Sequence, residues 1–271
     1  MSGLRCPLVS RRDALVTLAT GALGCRSGGS APERGAPSAR AGQEPWGGLE
    51  VSQLGNMAEG ERGGVALVLL HGFGASADDL VPLAKSLSRR PGTRFVLPAA
   101  PLSLGGGSRA WWPIDTGDRP RYVNDEPGPA AVSTLPSLPL EVARSVALGV
   151  LRTTRERYAP SALFVGGFSQ GAMLAVDLML SGSEPIDRVA VLSGALLVES
   201  AAHFATVHAP RPPVFIAHGR QDPRLPFVGS ERMRSELEQH GFAVTWRPFE
   251  GGHTILPSTI AELSSFWFGA H

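Results

Sequence analysis

The feature that most constrains this chain is a short segment, Gly-Phe-Ser-Gln-Gly at residues 167–171, which lies between a strand pattern and a helix pattern. The apolar run at 162–165 predicts a buried strand, and the pattern at 172–180 predicts a helix. This context is typical of a nucleophile elbow, a tight turn that lifts a serine hydroxyl above the edge of a sheet. Side chains in place of the two outer glycines would crowd such a strained turn. Ser169 is therefore a candidate nucleophile; the alternative is a glycine-rich turn that holds a serine by chance.

Length and charge narrow the class of protein. A chain of 271 residues is long enough for one large α/β domain with a buried core. The 25 basic residues nearly balance the 24 acidic ones, so nothing indicates a nucleic-acid partner. Both cysteines, Cys6 and Cys25, lie near the N-terminus. The remainder of the chain therefore offers no disulfide, no thiolate metal site and no cysteine nucleophile.

The first 25 residues resemble an export signal. Arg5, Arg11 and Arg12 precede an apolar stretch at 14–23, which is shorter than the ~20 residues that span a bilayer. A basic start followed by a short apolar core is typical of a secretory signal. We therefore expect an exported protein, and the alternative is an N-terminal extension on a cytoplasmic enzyme.

Two finer patterns refine this expectation. Residues 10–15 resemble the twin-arginine export motif, and Ala-Leu-Gly-Cys at 22–25 resembles the lipobox of bacterial lipoproteins. Acylation of Cys25 would anchor the mature protein to a membrane, whereas cleavage without acylation would leave it periplasmic. Residues 26–48 are rich in Gly, Ser, Ala and Pro and predict a flexible linker. The expected organisation is an export signal at 1–25, this linker, and a folded domain at 49–271.

The folded domain alternates strand and helix patterns. Strands are predicted at 49–54, 65–70, 94–97, 162–165, 188–192, 214–217 and 243–247, and helices at 78–89, 138–158, 172–180, 227–240 and 257–268. The Gly- and Pro-rich stretch at 101–136 predicts a long loop. This alternation predicts an α/β fold with a mainly parallel central sheet and helices on both faces.

A serine nucleophile needs a base and an acid to orient that base. In enzymes that use such an elbow, the order along the chain is serine, then Asp or Glu, then His. Asp222 follows the predicted strand at 214–217 and is the candidate acid. Its alternative role is a turn aspartate before proline. Asp187 is the rival acid, but it precedes a strand instead of following one.

The candidate base is His253, within Glu-Gly-Gly-His at 250–253 between the last predicted strand and the last predicted helix. Two glycines let this loop fold back toward the serine. The other histidines have structural explanations or stand in the wrong order: His71, His203, His208, His218, His240 and His271. We expect His71 and His218, at strand ends, to satisfy backbone groups near the site.

An oxyanion hole needs preorganised N–H donors. One is expected from the backbone of Gln170, directly after the nucleophile. The other is expected from Phe73, in the loop His-Gly-Phe-Gly at 71–74 that follows the first buried strand. The alternative is that residues 71–74 form an ordinary glycine turn.

Several motifs together resemble the phospholipase/carboxylesterase family, whose best-known members are acyl-protein thioesterases. They are Leu-His-Gly-Phe-Gly-Ala-Ser at 70–76, Pro-Ala-Ala-Pro at 98–101, Trp-Trp-Pro-Ile-Asp at 111–115, the elbow at 167–171, His-Gly-x-x-Asp at 218–222 and Gly-His at 252–253. The similarity spans residues 64–268. It implies an α/β-hydrolase fold, no cofactor, and hydrolysis of carboxylic esters or thioesters. By motif, the catalytic triad carries over to Ser169, Asp222 and His253, and the oxyanion hole to Phe73 and Gln170.

Two departures from the family pattern bear on the substrate. Ala75 stands where a polar or acidic residue often follows the oxyanion glycine. An export signal is also unusual for the thioesterase branch, which is intracellular. The resemblance places Trp111 and Trp112 over the mouth of the site, where the ring of at least one of them is expected to line an acyl or aromatic pocket. The alternative is that one or both pin the loop to the core.

The sequence thus predicts a serine hydrolase that cleaves a small-molecule ester or thioester through an acyl-enzyme intermediate. Two alternatives stay open. One is a serine peptidase or polyester depolymerase on the same fold, and the other is an exported binding protein that has lost catalysis.

Overall fold

The computed structural model describes residues 45–87, 91–114, 140–207 and 211–269. The predicted export signal and residues 26–44 of the predicted linker lie outside these ranges. Within the described ranges, packed structure begins before residue 49, the predicted start of the folded domain. A 3-10 turn at Pro45–Gly48 places Trp46 against the core. The backbone N–H of Trp46 donates to Thr153 Oγ1 at 3.0 Å. The apolar ring of Trp46 makes this short segment part of the domain.

The strands of the described residues form one large sheet and one small hairpin. In chain order they are β1 (Val51–Gly55), β2 (Val65–Leu70), β3 (Thr93–Pro98), β4 (Leu102–Gly105), β5 (Ser108–Ala110), β6 (Ala162–Phe168), β7 (Arg188–Leu192), β8 (Val214–Gly219) and β9 (Val244–Phe249). One sheet has the order β1-β3-β2-β6-β7-β8-β9, and β4 pairs with β5 in a separate hairpin. Only the β1–β3 pairing in the large sheet is antiparallel. The predicted mainly parallel sheet is confirmed.

Helices cover both faces of this sheet. They are α1 (Val81–Leu87), α2 (Leu140–Tyr158), α3 (Gln170–Ser181), α4 (Val198–Ala201), α5 (Phe227–Gln239) and α6 (Pro257–Phe268). Side chains of α2, α3 and α5 share one buried apolar cluster, and those of α1 and α6 share another on the opposite face. Strand β2 is buried on both sides, which explains its unbroken apolar sequence. No helix in the described ranges is both long and apolar enough to cross a membrane.

Two local predictions differ from the structure. The helix predicted at 78–89 begins as a 3-10 turn at Ala77–Leu80, and the α-helix starts at Val81. Pro82 fits there because the first turn of a helix does not use its N–H. The loop predicted at 101–136 contains the β4–β5 hairpin, whose strands are only four and three residues long. Strands this short show too little alternation to be recognised in a glycine-rich sequence.

A buried ion pair holds the helix that follows the elbow. Asp177 on α3 is fully buried and accepts hydrogen bonds from Arg144 Nε at 2.6 Å and Arg144 Nη2 at 2.8 Å. The Ser200 hydroxyl donates to the same carboxylate at 2.7 Å. The hydrogen bond to Asp177 raises the pKa of Arg144 against the effect of burial. The pair thereby ties α3 to α2 and α4.

Removing the cation from this pair should destabilise the whole domain. Arg144→Met leaves a buried carboxylate without its partner, which should cost about 3 kcal/mol of unfolding free energy. Arg247→Met is the control, because it breaks a pair with Glu262 in which both side chains are exposed, and it should cost less than about 1 kcal/mol. Urea unfolding of both variants measures the difference. Equal losses in the two variants would show that the buried pair does not anchor α3.

Candidate active site

The serine of the elbow is held in a strained backbone conformation. Ser169 lies between β6 and α3 with φ +55° and ψ −119°, a region that residues with a side chain rarely occupy and that costs about 1–3 kcal/mol. Its N–H donates to the Leu192 carbonyl at 2.9 Å, and its own carbonyl accepts from Ala172 N–H at 3.0 Å. The half-buried Ser169 is thereby fixed at the carboxyl edge of the sheet.

The two outer glycines of the elbow are sterically required. A Cβ on Gly171 would lie 2.0 Å from the Leu70 carbonyl oxygen, and a Cβ on Gly167 would lie 2.3 Å from the carbonyl carbon of Gly171. Both neighbours are backbone atoms, which cannot move aside without disturbing β2 or α3. The steric reason predicted for these glycines is confirmed.

The candidate acid lies just beyond β8. Asp222 is buried, and its Oδ1 accepts backbone N–H bonds from Arg224 at 2.8 Å and Leu225 at 3.0 Å. Its Oδ2 accepts from His253 Nδ1 at 2.7 Å. Burial alone would raise the pKa of Asp222, but the hydrogen bonds from Leu225, His253 and Arg224 together hold this pKa below its ordinary value. The carboxylate is therefore ionised near neutral pH.

The candidate base lies in the loop between β9 and α6. Since an ionised carboxylate only accepts, the Asp222 contact places the ring proton of His253 on Nδ1 and leaves Nε2 as the basic nitrogen. The Phe168 ring lies 4.8 Å from the imidazole, centroid to centroid, which brings His253 beside the residue that precedes Ser169. Among the described residues, no hydrogen bond joins the Ser169 hydroxyl to His253. Such bonds are often long in unliganded enzymes and close in the substrate complex.

The acid loop and the base loop are joined through their backbones. Gln221 N–H donates to the Gly251 carbonyl at 2.9 Å, and Arg220 N–H donates to the Phe249 carbonyl at 2.9 Å. A Cβ on Gly219 would lie 2.3 Å from the Gly252 carbonyl oxygen. The bare glycine at the end of β8 therefore allows the His253 loop to close over it.

A second imidazole contacts the candidate acid, and the sequence analysis missed this contact. His218 is fully buried, with Nε2 at 3.0 Å from the Leu225 carbonyl and 3.3 Å from Asp222 Oδ2. Burial lowers the pKa of His218, which keeps the ring neutral. The expected backbone contact of His218 is confirmed, and the four-residue spacing to Asp222 was the signal for the second one. Within the described ranges, no group of three or more His, Cys, Asp or Glu is placed to hold a metal ion.

The loop after β2 lies directly against the nucleophile. A Cβ on Gly72 would lie 3.3 Å from Ser169 Cβ. His71 Nε2 accepts from Ala100 N–H at 3.0 Å, so the ring proton is on Nδ1, which lies 2.8 Å from the Gly72 carbonyl. Burial lowers the pKa of His71, consistent with this neutral form. The structure thus brings Phe73 and Gln170, the two predicted oxyanion donors, to the same edge of the sheet.

The two tryptophans are placed differently from the expectation that they line a pocket. Trp111 has no exposed surface and Trp112 is 9% exposed, and both belong to the buried apolar cluster beside α2 and α3. The Trp111 indole N–H donates to the His71 carbonyl at 2.9 Å. A ring without solvent-exposed surface cannot line an open pocket, so the alternative, that this loop is pinned to the core, describes Trp111.

An open cleft reaches His253 from the side of α1 and α6. Its volume is about 370 Å³. Most of its walls are apolar, and four residues contribute polar side chains; the lining comprises Asp79, Leu80, Pro82, Leu83, Ser86, Phe168, His253, Thr254, Ile255 and Ile260. The cleft therefore offers mainly apolar contacts beside the candidate base.

The low pKa of Asp222 predicts a specific pH dependence of stability. A carboxyl whose pKa falls on folding stabilises the protein at pH values above its unfolded pKa of 3.8. That contribution is lost as the pH falls through the folded pKa. The loss of unfolding free energy caused by Asp222→Asn should therefore be largest near neutral pH and shrink below pH 3.8. Chemical denaturation over a pH series measures it. A loss that stays constant down to about pH 3 would contradict the hydrogen-bond arrangement.

Comparison with known proteins relates this geometry to a family. The family model described as phospholipase/carboxylesterase matches residues 58–268. Acyl-protein thioesterase 1 of Mycosarcoma maydis is 30% identical over 228 residues, which are 78% of this chain and 93% of that protein. Acyl-protein thioesterase 1 of Saccharomyces cerevisiae is 26% identical over 219 residues, 74% of this chain and 90% of that protein.

Solved structures show the same fold. The crystal structure of esterase PE8 superposes with a TM-score of 0.67 at 27% identity, covering 81% of this chain and 97% of that one. Acyl-protein thioesterase 2 of Zea mays has a TM-score of 0.59 at 20% identity and covers 80% and 97% of the two chains. The predicted α/β-hydrolase fold is confirmed.

These relatives correct the predicted localisation. The matching proteins include acyl-protein thioesterases of several fungi, which belong to the intracellular branch of the family. The expectation of an exported enzyme, periplasmic or membrane-anchored, is therefore wrong. A basic, apolar N-terminal pattern is short and of low specificity, whereas the match to these relatives extends over most of the chain.

The extent of the family match, together with the elbow and the strand order, settles the affiliation. The chain belongs to the phospholipase/carboxylesterase family and is a serine hydrolase of esters or thioesters.

Proposed function

We propose that this hydrolase works through Ser169, His253 and Asp222, with Phe73 and Gln170 as oxyanion donors. The observation that carries this proposal is the 2.7 Å bond between Asp222 Oδ2 and His253 Nδ1, at the sheet edge that also holds the strained Ser169 elbow. The bond fixes the tautomer in which Nε2 accepts a proton. A base in the correct tautomer is what a serine hydroxyl needs to become a nucleophile.

The reaction begins with acylation. His253 Nε2 takes the hydroxyl proton of Ser169 while the Ser169 oxygen bonds to the carbonyl carbon of the substrate. Backbone N–H groups of Phe73 and Gln170 bind the developing oxyanion, and Gln170 supplies a donor with no intrahelical acceptor because it is the first residue of α3. The imidazolium then gives its proton to the leaving oxygen or sulfur. The products of this half-reaction are an alcohol or thiol and an acyl-enzyme.

Water completes the cycle by the same route. His253 takes a proton from water, the hydroxide oxygen bonds to the acyl carbon, and collapse of the tetrahedral adduct breaks the bond to Ser169. The proton returns to the Ser169 oxygen and the carboxylic acid leaves. Asp222 stays ionised throughout, since its low pKa favours the carboxylate, and stabilises the imidazolium in both halves.

The apolar cleft supports a proposal about the leaving group. His253 must reach the leaving atom to protonate it, so the leaving group lies on the side of His253. The cleft of about 370 Å³ has His253 in its wall, together with Leu83 and Ile260. We therefore assign it to an apolar alcohol or thiol portion of the substrate. The carboxylate of Asp79 in the same lining disfavours an anionic leaving group.

Loss of the nucleophile tests the proposed mechanism. Ser169→Ala should lower kcat/KM for p-nitrophenyl butyrate by at least about 10⁴-fold, because the remaining groups only bind and polarise the substrate. Ser181→Ala on the same helix is the control, since within the described part of the chain its hydroxyl bonds to the Leu178 carbonyl of its own helix. A Ser169→Ala enzyme within a few fold of wild type would refute the assignment of the nucleophile.

Filling the cleft tests the leaving-group assignment. Ile260→Trp should reduce kcat/KM for a hexyl ester by about tenfold, yet leave the methyl ester of the same acid within about twofold. Val228→Trp, at an exposed position on α5, is the matched control. Measuring the oxygen ester and the thioester of each alcohol length separates the two leaving atoms. Equal losses for methyl and hexyl esters would place the leaving group elsewhere.

A further inference from the structure

Residues 109–112, here called the brace, connect the two segments that supply the proposed oxyanion donors. At one end, Gly74 N–H donates to the Arg109 carbonyl at 2.9 Å, and Arg109 N–H donates to the Ala75 carbonyl at 2.8 Å. These two bonds fix the downstream end of the loop after β2 to strand β5. The β4–β5 hairpin, which the sequence analysis had assigned to a loop, thus supports the segment that contains Phe73.

The other end of the brace holds both segments through one residue. The Trp111 indole N–H donates to the His71 carbonyl at 2.9 Å, and the Trp111 backbone N–H donates to Gln170 Oε1 at 2.9 Å. Gln170 Nε2 in turn donates to the Trp112 carbonyl at 2.8 Å. Trp111 is fully buried and Gln170 is 1% exposed. Burial shields these bonds from bulk solvent, which strengthens them.

The consequence concerns two donors that are distant in sequence. Phe73 and Gln170 are almost a hundred residues apart, yet their N–H groups must converge on one oxygen. The His71 carbonyl belongs to the chain two residues before Phe73, and the Gln170 side chain belongs to the second donor itself. A link between them therefore controls the separation of the two N–H groups. Displacing a catalytic group by about 1 Å can cost about 10²-fold in rate.

We propose that Trp111 is a positioning residue of the oxyanion hole, which it sets by holding the His71 carbonyl with its indole N–H and the Gln170 side chain with its backbone N–H. This inference rests on the proposed function, because it needs Phe73 and Gln170 as the donors. Trp111 itself contacts no reacting atom. Its effect is confined to the transition state, since the oxyanion is absent from bound substrate.

The first test removes only the indole donor. Trp111→Phe keeps an aromatic ring in the core and loses the bond to the His71 carbonyl. The expected result is a fall in kcat of about 10- to 100-fold with KM within about twofold, which is smaller than the 10²–10³-fold loss of a whole oxyanion donor. The affinity for a trifluoromethyl ketone, which forms a tetrahedral oxyanion on the serine, should fall by the same factor as kcat/KM.

The structure offers a matched control. Trp267 is buried against β6, and its indole N–H has no hydrogen-bond partner among the described residues. Trp267→Phe therefore loses similar ring volume without losing a hydrogen bond. It should lower the melting temperature no more than Trp111→Phe does, and leave kcat and the ketone affinity within about twofold of wild type.

A second variant removes the bonds between the Gln170 side chain and the brace. Gln170→Met keeps the backbone donor and the side-chain length but removes both bonds to the brace. It should reduce kcat by a similar factor, and the double variant with Trp111→Phe should lose less than the product of the two single losses, because the same link is broken. If Trp111→Phe does not fold, Gln170→Met alone tests the positioning role. A lower kcat with KM within about twofold of wild type supports the role, and an unchanged kcat contradicts it.

The outcomes separate the two levels of the proposal. If the wild-type enzyme turns over esters but Trp111→Phe matches Trp267→Phe in kcat and in ketone affinity, the positioning role is wrong while the proposed function stands. Additive losses in the double variant would also contradict a shared link. If Ser169→Ala keeps wild-type activity, the proposed function itself fails, and the positioning role fails with it.

Discussion

The close approach of the elbow to the end of β2 is the constraint on which the rest of the site depends. The backbone of Gly171 lies so near the Leu70 carbonyl that a single methyl group would reach within 2.0 Å of it. This contact exists because β2 and β6 are parallel neighbours with Leu70 in register with Gly167. It places the first turn of α3 against the loop after β2. Main-chain packing thus positions the nucleophile and brings together the two segments that carry the proposed oxyanion donors, and the side-chain hydrogen bonds of the brace act on this arrangement.

The acid and the base lie at the same edge of the sheet, and hydrogen bonds between their loops position them. Their loops follow β8 and β9, which are also parallel neighbours, and backbone hydrogen bonds join one loop to the other. Three hydrogen bonds reach the Asp222 carboxylate, from two backbone N–H groups and from His253, and His218 Nε2 lies 3.3 Å from Oδ2. This arrangement offsets the cost of burying a charge. The result is an ionised acid that keeps the base in one tautomer.

The sequence was sufficient for the parts that depend on local rules. The elbow glycines, the buried strand β2 and the position of Asp222 after β8 follow from steric and periodic patterns, so the fold and the residues brought together at the sheet edge were predictable. The brace was not, because it joins segments distant in sequence through hydrogen bonds that leave no periodic signal. The contact of His218 with Asp222 is local in sequence, and the four-residue spacing was its only signal. Trp111 shows why: an aromatic residue beside a site fits a pocket wall and a buried donor equally well, and only its burial and the indole bond to His71 distinguish them.

In the proposed mechanism one serine, at the strained elbow, becomes acylated during turnover. Mass spectrometry of the wild-type enzyme after reaction with a fluorophosphonate identifies that serine, since this reagent phosphonylates a serine that an adjacent base activates. We expect a single adduct, and fragmentation should place it on Ser169. An adduct on another residue, or none while ester hydrolysis continues, would contradict this mechanism.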